Sequence, residues 1–221
     1  MRKKTILLLL AGLLLLFAAC SGLRAPEEKK TTKEPNEVKT EEAMKFACDA
    51  LFFGDSITCD GNFDELFPEL RVVNLGVYGD TLEDLLRRVP EVRAKNPARI
   101  FLLGGINSLR PDNVEDCLTE YAELLDALRA ACPGSELIVQ SVLPVGNEVD
   151  WDGEINEAVR RFNQGLRPLA EGKGCAFADL YAVYEKDGVL DPALTRDGIH
   201  LNFNAYGPWA ELIRPLLLRD S

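Results

Sequence analysis

The sequence predicts an α/β fold in which helices cover both faces of a parallel β-sheet. Short apolar runs alternate with longer segments of helical periodicity five times along the chain, the order expected of βα repeats. The short runs are apolar almost throughout, as is typical of strands that are buried on both faces. In open sheets of this kind, ligands bind at the carboxyl ends of the strands. The polar residues that follow each predicted strand are therefore the first candidates for a functional site.

The five short apolar runs are the predicted strands. They cover residues 50–53 (ALFF), 71–75 (RVVNL), 99–104 (RIFLLG), 136–142 (ELIVQSV) and 175–180 (CAFADL). The predicted helices begin at Thr81, Asn113, Gly153 and Tyr206. Thr81 and Asp84 suit an N-terminal capping box, and Pro215 could shorten or kink the last helix, predicted over 206–217.

Residues 1–45 are predicted to lie outside the folded domain. A basic start precedes an apolar run over 6–19, which is shorter than the ~20 residues that span a bilayer and fits a secretory signal. The LFAAC sequence resembles a bacterial lipoprotein cleavage site. It predicts a signal peptide over 1–19 and a lipidated Cys20, which would hold the exported protein to a membrane of the bacterial envelope. An ordinary cleaved signal is the alternative.

The segment after Cys20 is predicted to be a tether. Residues 20–45 are rich in charge, Pro and Thr and poor in apolar residues, so they cannot bury enough surface to offset the entropy of ordering. Residues 46–221 remain, and this length is typical of one domain with a sizeable core.

From residue 46 onward the chain is strongly acidic. Residues 1–45 hold 9 of the 25 basic and 6 of the 36 acidic residues, which leaves 16 basic against 30 acidic and a net charge of about −14. Nucleic-acid binding needs the opposite charge, so no nucleic-acid partner is expected. An acidic domain gains nothing from anionic lipid headgroups, so membrane attachment depends on the predicted anchor.

The cysteine and histidine content argues against a metal site. The chain has one histidine and six cysteines, and no two cysteines have CxxC spacing. We therefore expect no metal and no cofactor. The cysteines after Cys20 are expected to be small buried apolar residues, although an exported protein could form a disulfide.

Polar motifs follow four of the predicted strands. Ser56 comes just after the first strand, Gly79 after the second and Asn107 after the third, while Asp197 and His200 lie between the fifth strand and the last helix. Alone, each would more often be an ordinary turn, cap or loop residue. Together at one sheet edge they supply a hydroxyl, a flexible turn, an amide and an Asp–His pair.

These motifs resemble those of the GDSL, or SGNH, family of serine esterases and lipases. The blocks FGDSIT, NLGVYGDT, GGIN and DGIHLN match in order, over nearly all of residues 46–221. The resemblance implies a three-layer α/β/α sandwich of flavodoxin-like type. The sequence departs from the family at Ser108, where the asparagine is usually followed by an aspartate.

The side chains themselves indicate their roles. Ser56 is the candidate nucleophile, and His200 its general base, because histidine alone has an ordinary pKa near 6.5. Asp197 would orient the imidazole, and the three-residue spacing lets both side chains project from one turn. The resemblance implies an oxyanion hole made of the backbone N–H groups of Ser56 and Gly79 and the side-chain amide of Asn107. Asp55 is expected to be structural.

The substrate is predicted to be a small acyl ester or an acetylated glycan. The chain is similar to family members related to platelet-activating-factor acetylhydrolase and to carbohydrate acetylesterases, and it lacks the long apolar insertions expected of a lipase lid. Trp151, after the fourth strand, could bind substrate or pack on the following helix. A lysophospholipase, thioesterase or transacetylase with the same triad remains an alternative, as does a catalytically silent glycan-binding lipoprotein.

Overall fold

The computed structural model of the protein describes residues 46–150 and 152–218. The predicted signal peptide, Cys20, the predicted tether and Trp151 lie outside the described residues. Within the described part, no helix is long and apolar enough to cross a membrane.

Five parallel strands form the central sheet. They are β1 (Ala50–Gly54), β2 (Val72–Gly76), β3 (Arg99–Leu103), β4 (Glu136–Gln140) and β5 (Ala176–Ala178). Their order across the sheet is β2-β1-β3-β4-β5, with every neighbouring pair parallel. This is the flavodoxin-like order, in which the chain reverses direction beside β1. The predicted fold class is confirmed.

Seven α-helices, a short 3₁₀ helix and a small hairpin complete the described fold. The helices are α1 (Ser56–Cys59), α2 (Phe63–Leu66), α3 (Leu82–Lys95), α4 (Val114–Ala131), α5 (Glu154–Gly172), α6 (Tyr181–Tyr184) and α7 (Tyr206–Leu217). The 3₁₀ helix is Phe203–Ala205, and the hairpin pairs β6 (Glu185–Lys186) with β7 (Val189–Leu190). The four predicted helices are present, and α7 runs to Leu217 although it contains Pro215.

Successive side chains of β1 enter two different cores. Leu51 and Phe53 pack on the face covered by α3, α4 and α5, while Ala50 and Phe52 pack on the face that contains α1, α2 and α7. Every residue of β1 is buried, and burial of a Leu or Phe side chain contributes roughly 1.5–3 kcal/mol. The chain therefore forms three layers, and the sheet is held from both sides.

The fourth strand ends two residues earlier than the sequence indicates. Asn163 of α5 donates its side-chain amide to the Val142 carbonyl (2.8 Å) and accepts the Val142 N–H (2.9 Å). Asn156 makes the same pair of bonds to the backbone of Val145, each 2.9 Å long. Ser141 still donates its N–H to the Ala178 carbonyl of β5 (3.0 Å), but Val142 and Val145 are bonded to helical side chains instead of to a neighbouring strand.

The five cysteines in the described region are all free. Cys48, Cys117, Cys132 and Cys175 are buried, and burial raises the pKa of each thiol, that of Cys117 to about 11. No group of three or more His, Cys, Asp or Glu side chains in the described region is placed to hold a metal ion.

Candidate active site

Ser56 is the first residue of α1, two residues beyond the end of β1. Asp55 caps this short helix, because its carboxyl group accepts the N–H of Ile57 at 3.0 Å. The Tyr206 hydroxyl of α7 donates to the Ile57 carbonyl at 2.7 Å. The serine is therefore held from its own loop and from the helical layer beneath it.

The carboxyl group of Asp55 is fully buried. Its pKa is raised to about 7, mainly by removal from water and also by the negative charge of Asp80, while the hydrogen bond from Ile57 acts in the opposite direction. Asp55 is bonded to the start of α1, which fits the structural role expected for it.

The loop that contains Asp197 and His200 folds back on itself. One oxygen of the Asp197 carboxylate accepts the backbone N–H groups of Ile199 (3.0 Å) and His200 (2.8 Å), and the other lies 2.7 Å from His200 Nδ1. Burial would raise the pKa of Asp197, but these hydrogen bonds outweigh burial and lower the pKa to about 2. The carboxylate therefore stays charged and oriented at pH values well above 2.

The other ring nitrogen of His200 faces the serine. His200 Nε2 lies 2.9 Å from Ser56 Oγ, so hydrogen bonds run without a break from Asp197 through the imidazole to the hydroxyl. The His200 side chain is 21% exposed, which leaves it accessible from solvent. The structure brings together the three residues that the sequence selected, although 144 positions separate Ser56 from His200.

Gly198 lies between Asp197 and His200 at a position that only glycine fits. Its φ is +82°, and a Cβ atom there would lie 2.7 Å from the carboxyl carbon of Glu148. Its carbonyl also accepts the N–H of Gly146 at 2.7 Å. The Asp–His loop is therefore packed closely against the loop that follows β4.

Gly79 and Asn107 lie on two adjacent loops. Gly79 has φ +80°, and the Val77 N–H in the same loop donates to the carbonyl of Gly54 at the end of β1 (3.0 Å). The amide of Asn107 donates to the carbonyl of Asp80, the residue after Gly79, at 2.9 Å. In the described region the N–H groups of Ser56 and Gly79 donate to no protein acceptor. Both remain free to bind an oxyanion.

This arrangement can activate a hydroxyl for attack on a carbonyl carbon. An imidazole held by a carboxylate can accept the serine proton, and nearby N–H groups can stabilise the negative oxygen that forms. The same polar loops match a known family: residues 52–207 match the GDSL-like lipase/acylhydrolase family. The chain belongs to this family.

Solved structures of several other proteins have the same fold. A GDSL-like lipase from Bacteroides thetaiotaomicron is 23% identical, with a TM-score of 0.65 over 76% of this chain and 86% of that one. A protein from Streptococcus pneumonia named for platelet activating factor is 24% identical, with a TM-score of 0.67 over 80% and 86%. An acetyl xylan esterase is 20% identical, with a TM-score of 0.64 over 76% and 99%. No curated protein is similar enough to count as a match.

As a GDSL-like acylhydrolase, the protein is an ester hydrolase. The buried Asp80 side chain, behind the Gly79 loop of this hydrolase, pairs with Arg88 of α3. The Arg88 guanidinium also donates to the Leu75 carbonyl at the end of β2 (2.9 Å) and lies 5.4 Å from the centre of the Phe53 ring. The Gly79 loop is thereby anchored to both β2 and α3.

Ser108, which stands where the family usually has an aspartate, makes a hydrogen bond of its own in this hydrolase. Its hydroxyl oxygen accepts the N–H of Leu82, the first residue of α3, at 2.9 Å. Ser108 therefore ties the Asn107 loop to the start of the helix that follows Gly79. A serine is long enough for this bond, so the two loops remain connected without the usual aspartate.

Three side chains of the GDSL-like site were not selected from the sequence: Asp60, Tyr78 and Arg196. The Tyr78 hydroxyl donates to one oxygen of Asp60, and Arg196 Nη2 lies 2.5 Å from the other. This bond to Asp60 raises the pKa of the Tyr78 phenol. Tyr78 lies within the NLGVYGDT block and Asp60 two residues after the FGDSIT block, but no spacing rule links positions so far apart in the chain. Only the folded structure shows that they meet.

Proposed function

We propose that the protein is a serine esterase that removes short acyl groups, chiefly acetyl, from esters carried by glycans. The observation that carries the proposal is the unbroken hydrogen-bonded chain Asp197–His200–Ser56, with distances of 2.7 and 2.9 Å. Ester hydrolysis follows from family membership; the acyl length, the glycan and the residue roles are the proposed part.

In the first half of the reaction, Ser56 Oγ attacks the ester carbonyl while His200 Nε2 takes its proton. Asp197 stabilises the imidazolium that forms, and the imidazolium then protonates the leaving alcohol. An acyl group is left on Ser56. In the second half, His200 takes a proton from water and the resulting hydroxide attacks the acyl carbon. The bond between the acyl carbon and Ser56 Oγ then breaks, the imidazolium returns its proton to Ser56 Oγ, and the carboxylic acid leaves.

The oxyanion of each tetrahedral intermediate needs donors that are already in place. We assign this role to the backbone N–H groups of Ser56 and Gly79 and to the side-chain amide of Asn107. One N–H of the Asn107 amide is held by the Asp80 carbonyl, which fixes the direction of the other. Each such donor typically contributes ~10²–10³ in kcat.

Short connections at the site favour a small acyl group. Asp55 alone connects β1 to α1, and residues 77–81 connect β2 to α3. A long acyl chain needs apolar cover, and these connections are too short to form a lid. An acetyl group needs only the space between Ser56 and the donors.

A glycan leaving group is favoured by exposed aromatic rings and polar groups near the triad. Tyr78 is 56% exposed and Phe203 is 82% exposed, and flat rings of this kind can stack on sugar faces. A cleft of about 370 Å³ beside Phe203 is lined by polar groups of Asp60, Asn62 and Glu65. The similarity to an acetyl xylan esterase supports the same substrate class. Trp151 remains a further candidate for substrate contact.

The test uses the full-length protein solubilised in detergent. It compares nitrophenyl acetate, butyrate and octanoate with acetylated xylan, a lysophospholipid and an acyl thioester, and Ser56→Ala is the control. We expect turnover to fall with acyl length, acetate release from xylan, inhibition by a serine-directed phosphonate and no effect of EDTA. If the enzyme prefers the lysophospholipid or the thioester, then that class of compound, and not the glycan ester, is its substrate. If the protein binds glycans but hydrolyses none of these esters, it is a catalytically silent glycan-binding protein.

We also propose that the enzyme is anchored to a bacterial membrane through lipid on Cys20. The basic start, the apolar run over 6–19 and the LFAAC sequence support this location. Two or more acyl chains anchor a protein stably, and the segment over 20–45 would connect this anchor to the domain. An acylated polymer outside the cell would then be its natural target.

A further inference from the structure

Asp60 lies at the end of α1, and its side chain contacts two loops of the active site. It is the C-terminal cap of α1, and its N–H donates to the carbonyl of Ser56 at 3.0 Å. One carboxylate oxygen accepts the Tyr78 hydroxyl from the Gly79 loop, and the other pairs with Arg196 of the Asp–His loop at 2.5 Å. Its side chain is only 11% exposed, unlike that of an ordinary surface ion pair.

Arg196 stabilises the loop that carries His200 through hydrogen bonds to its backbone. Its backbone N–H donates to the His200 carbonyl (3.1 Å), and its guanidinium donates to the Leu201 carbonyl (3.1 Å). The same guanidinium lies 3.9 Å from the carboxylate of Asp197. Without Asp60, this cation would be drawn to Asp197 and would compete with His200 for that carboxylate.

Tyr78 is held beside the imidazole by the same carboxylate. The centre of its ring lies 5.9 Å from that of His200, and the ring is more than half exposed. A tyrosine that is this exposed would turn freely if its hydroxyl were not bonded. The bond to Asp60 therefore fixes one wall of the space that a substrate enters.

We propose that Asp60 is a positioning residue, one carboxylate that keeps the Gly79 loop and the Asp–His loop in register with the helix that carries Ser56. The proposal rests on the proposed esterase function. Asp60 touches neither the triad side chains nor the reacting atoms, so it acts through Tyr78 and Arg196. A misplacement of about 1 Å in an active site can cost ~10² in rate.

The kinetic test compares Asp60→Ala, Asp60→Asn and Tyr78→Phe with a matched control, Glu69→Ala. Glu69 also forms an ion pair across the chain, 2.8 Å from Arg214, but away from the catalytic loops. We expect Asp60→Ala to lower kcat by 10- to 100-fold with a small change in KM, and Asp60→Asn to recover part of the loss. Tyr78→Phe should add little to Asp60→Ala, because both remove the same bond.

A second readout needs no substrate. The chain has one histidine, so the proton on His200 Nδ1 gives a single downfield resonance that reports its bond to Asp197. We expect Asp60→Ala to broaden or shift this resonance and to slow phosphonate labelling of Ser56, while Glu69→Ala changes neither. If Asp60→Ala matches Glu69→Ala in kcat, labelling and resonance, the proposal is wrong. If the wild type hydrolyses no ester but the resonance still responds to Asp60→Ala, the proposed function fails and the positioning role stands.

Discussion

His200 is the only histidine in the chain, and both of its ring nitrogens are engaged. Its Nδ1 faces a carboxylate whose pKa is held at about 2, and its Nε2 faces the Ser56 hydroxyl. Because Asp197 stays ionised across the working range of pH, it keeps the imidazole oriented and does not itself cause the fall in activity that we expect at acid pH. Histidine ordinarily takes up a proton near pH 6.5, which would remove the base.

Single substitutions in the triad should abolish turnover without unfolding the protein. We expect Ser56→Ala and His200→Ala each to lower kcat by on the order of 10⁴–10⁶, and the double variant to be no worse, because the triad acts as one unit. Asn107→Ala should cost less, ~10²–10³, since two backbone donors remain. Esterase turnover and thermal melting are measured for each variant. A His200→Ala variant with nearly wild-type turnover would contradict the assigned role.

Asp55 should make stability depend on pH. Its folded-state pKa of about 7 is above the ordinary value of 3.8, so the folded protein binds this proton more tightly than the unfolded chain does. The stabilisation is complete below about pH 4 and is lost as the pH rises through 7.

Asp55→Asn keeps the cap acceptor and removes the ionisation. Between pH 5 and pH 8, the free energy of unfolding of the variant should therefore rise relative to wild type, on the order of a few kcal/mol. Urea unfolding at the two pH values measures this difference, and Asp64→Asn, at an exposed position on α2, is the control. An Asp55→Asn difference that stays constant across this range would show that Asp55 does not titrate there.

At the scale of elements, the site depends on loops that are fixed by their neighbours. The Asp–His loop packs on the loop after β4 through Gly198 and Glu148, and that second loop is held by Asn156 and Asn163 of α5. The catalytic geometry therefore depends on helical side chains that never contact a substrate.

Gly198→Ala should lower both activity and stability. The new Cβ would meet Glu148, and φ of +82° costs a non-glycine residue roughly 1–2 kcal/mol. The matched control is Gly174→Ala, where φ is +68° but the nearest atom to a new Cβ lies at 3.9 Å. Both variants should melt earlier, and only Gly198→Ala should lose kcat. Equal turnover in the two variants would mean that the Asp–His loop tolerates the clash.

Much of the element pattern could be predicted because it is local or periodic. The five strands and the capping box of Thr81 and Asp84 follow from sequence patterns, and both are present. Burial on both faces holds for β1 and β3, whereas the edge strands β2 and β5 are only partly buried. The early end of β4 could not be predicted, since it depends on Asn163, 21 residues later. In the site, the motifs selected Ser56 and His200. The partners of Asp60 lie 18 and 136 positions away, and no local pattern links them.

At the scale of the whole molecule, an acidic catalytic domain follows a short charged segment. The net charge of about −14 from residue 46 onward opposes direct binding to anionic membranes. The membrane attachment that we propose therefore depends on Cys20 alone, and we expect the domain itself to stay in the aqueous phase.

Cys20→Ser should move the protein out of the membrane fraction. Without the thiol there is no site for acylation, so the protein should be secreted or left with its signal unprocessed. Cell fractionation and mass spectrometry of the mature N-terminus measure this outcome, and Cys59→Ser serves as the control. If wild-type Cys20 is unmodified, or the native protein is released after cleavage elsewhere, the anchor proposal is wrong.

If the protein is exported as we propose, its four buried thiols limit the time available for folding outside the cytoplasm. A chain that crosses the membrane unfolded arrives with Cys48, Cys117, Cys132 and Cys175 all open to oxidants, although the native fold uses none of them in a bridge. A parallel sheet assembles from distant segments and is slow to form. Folding and oxidation would then be in competition: once the core between the sheet and α3, α4 and α5 closes, the thiols are buried, whereas a chain that is oxidised first carries cross-links that the native fold does not contain.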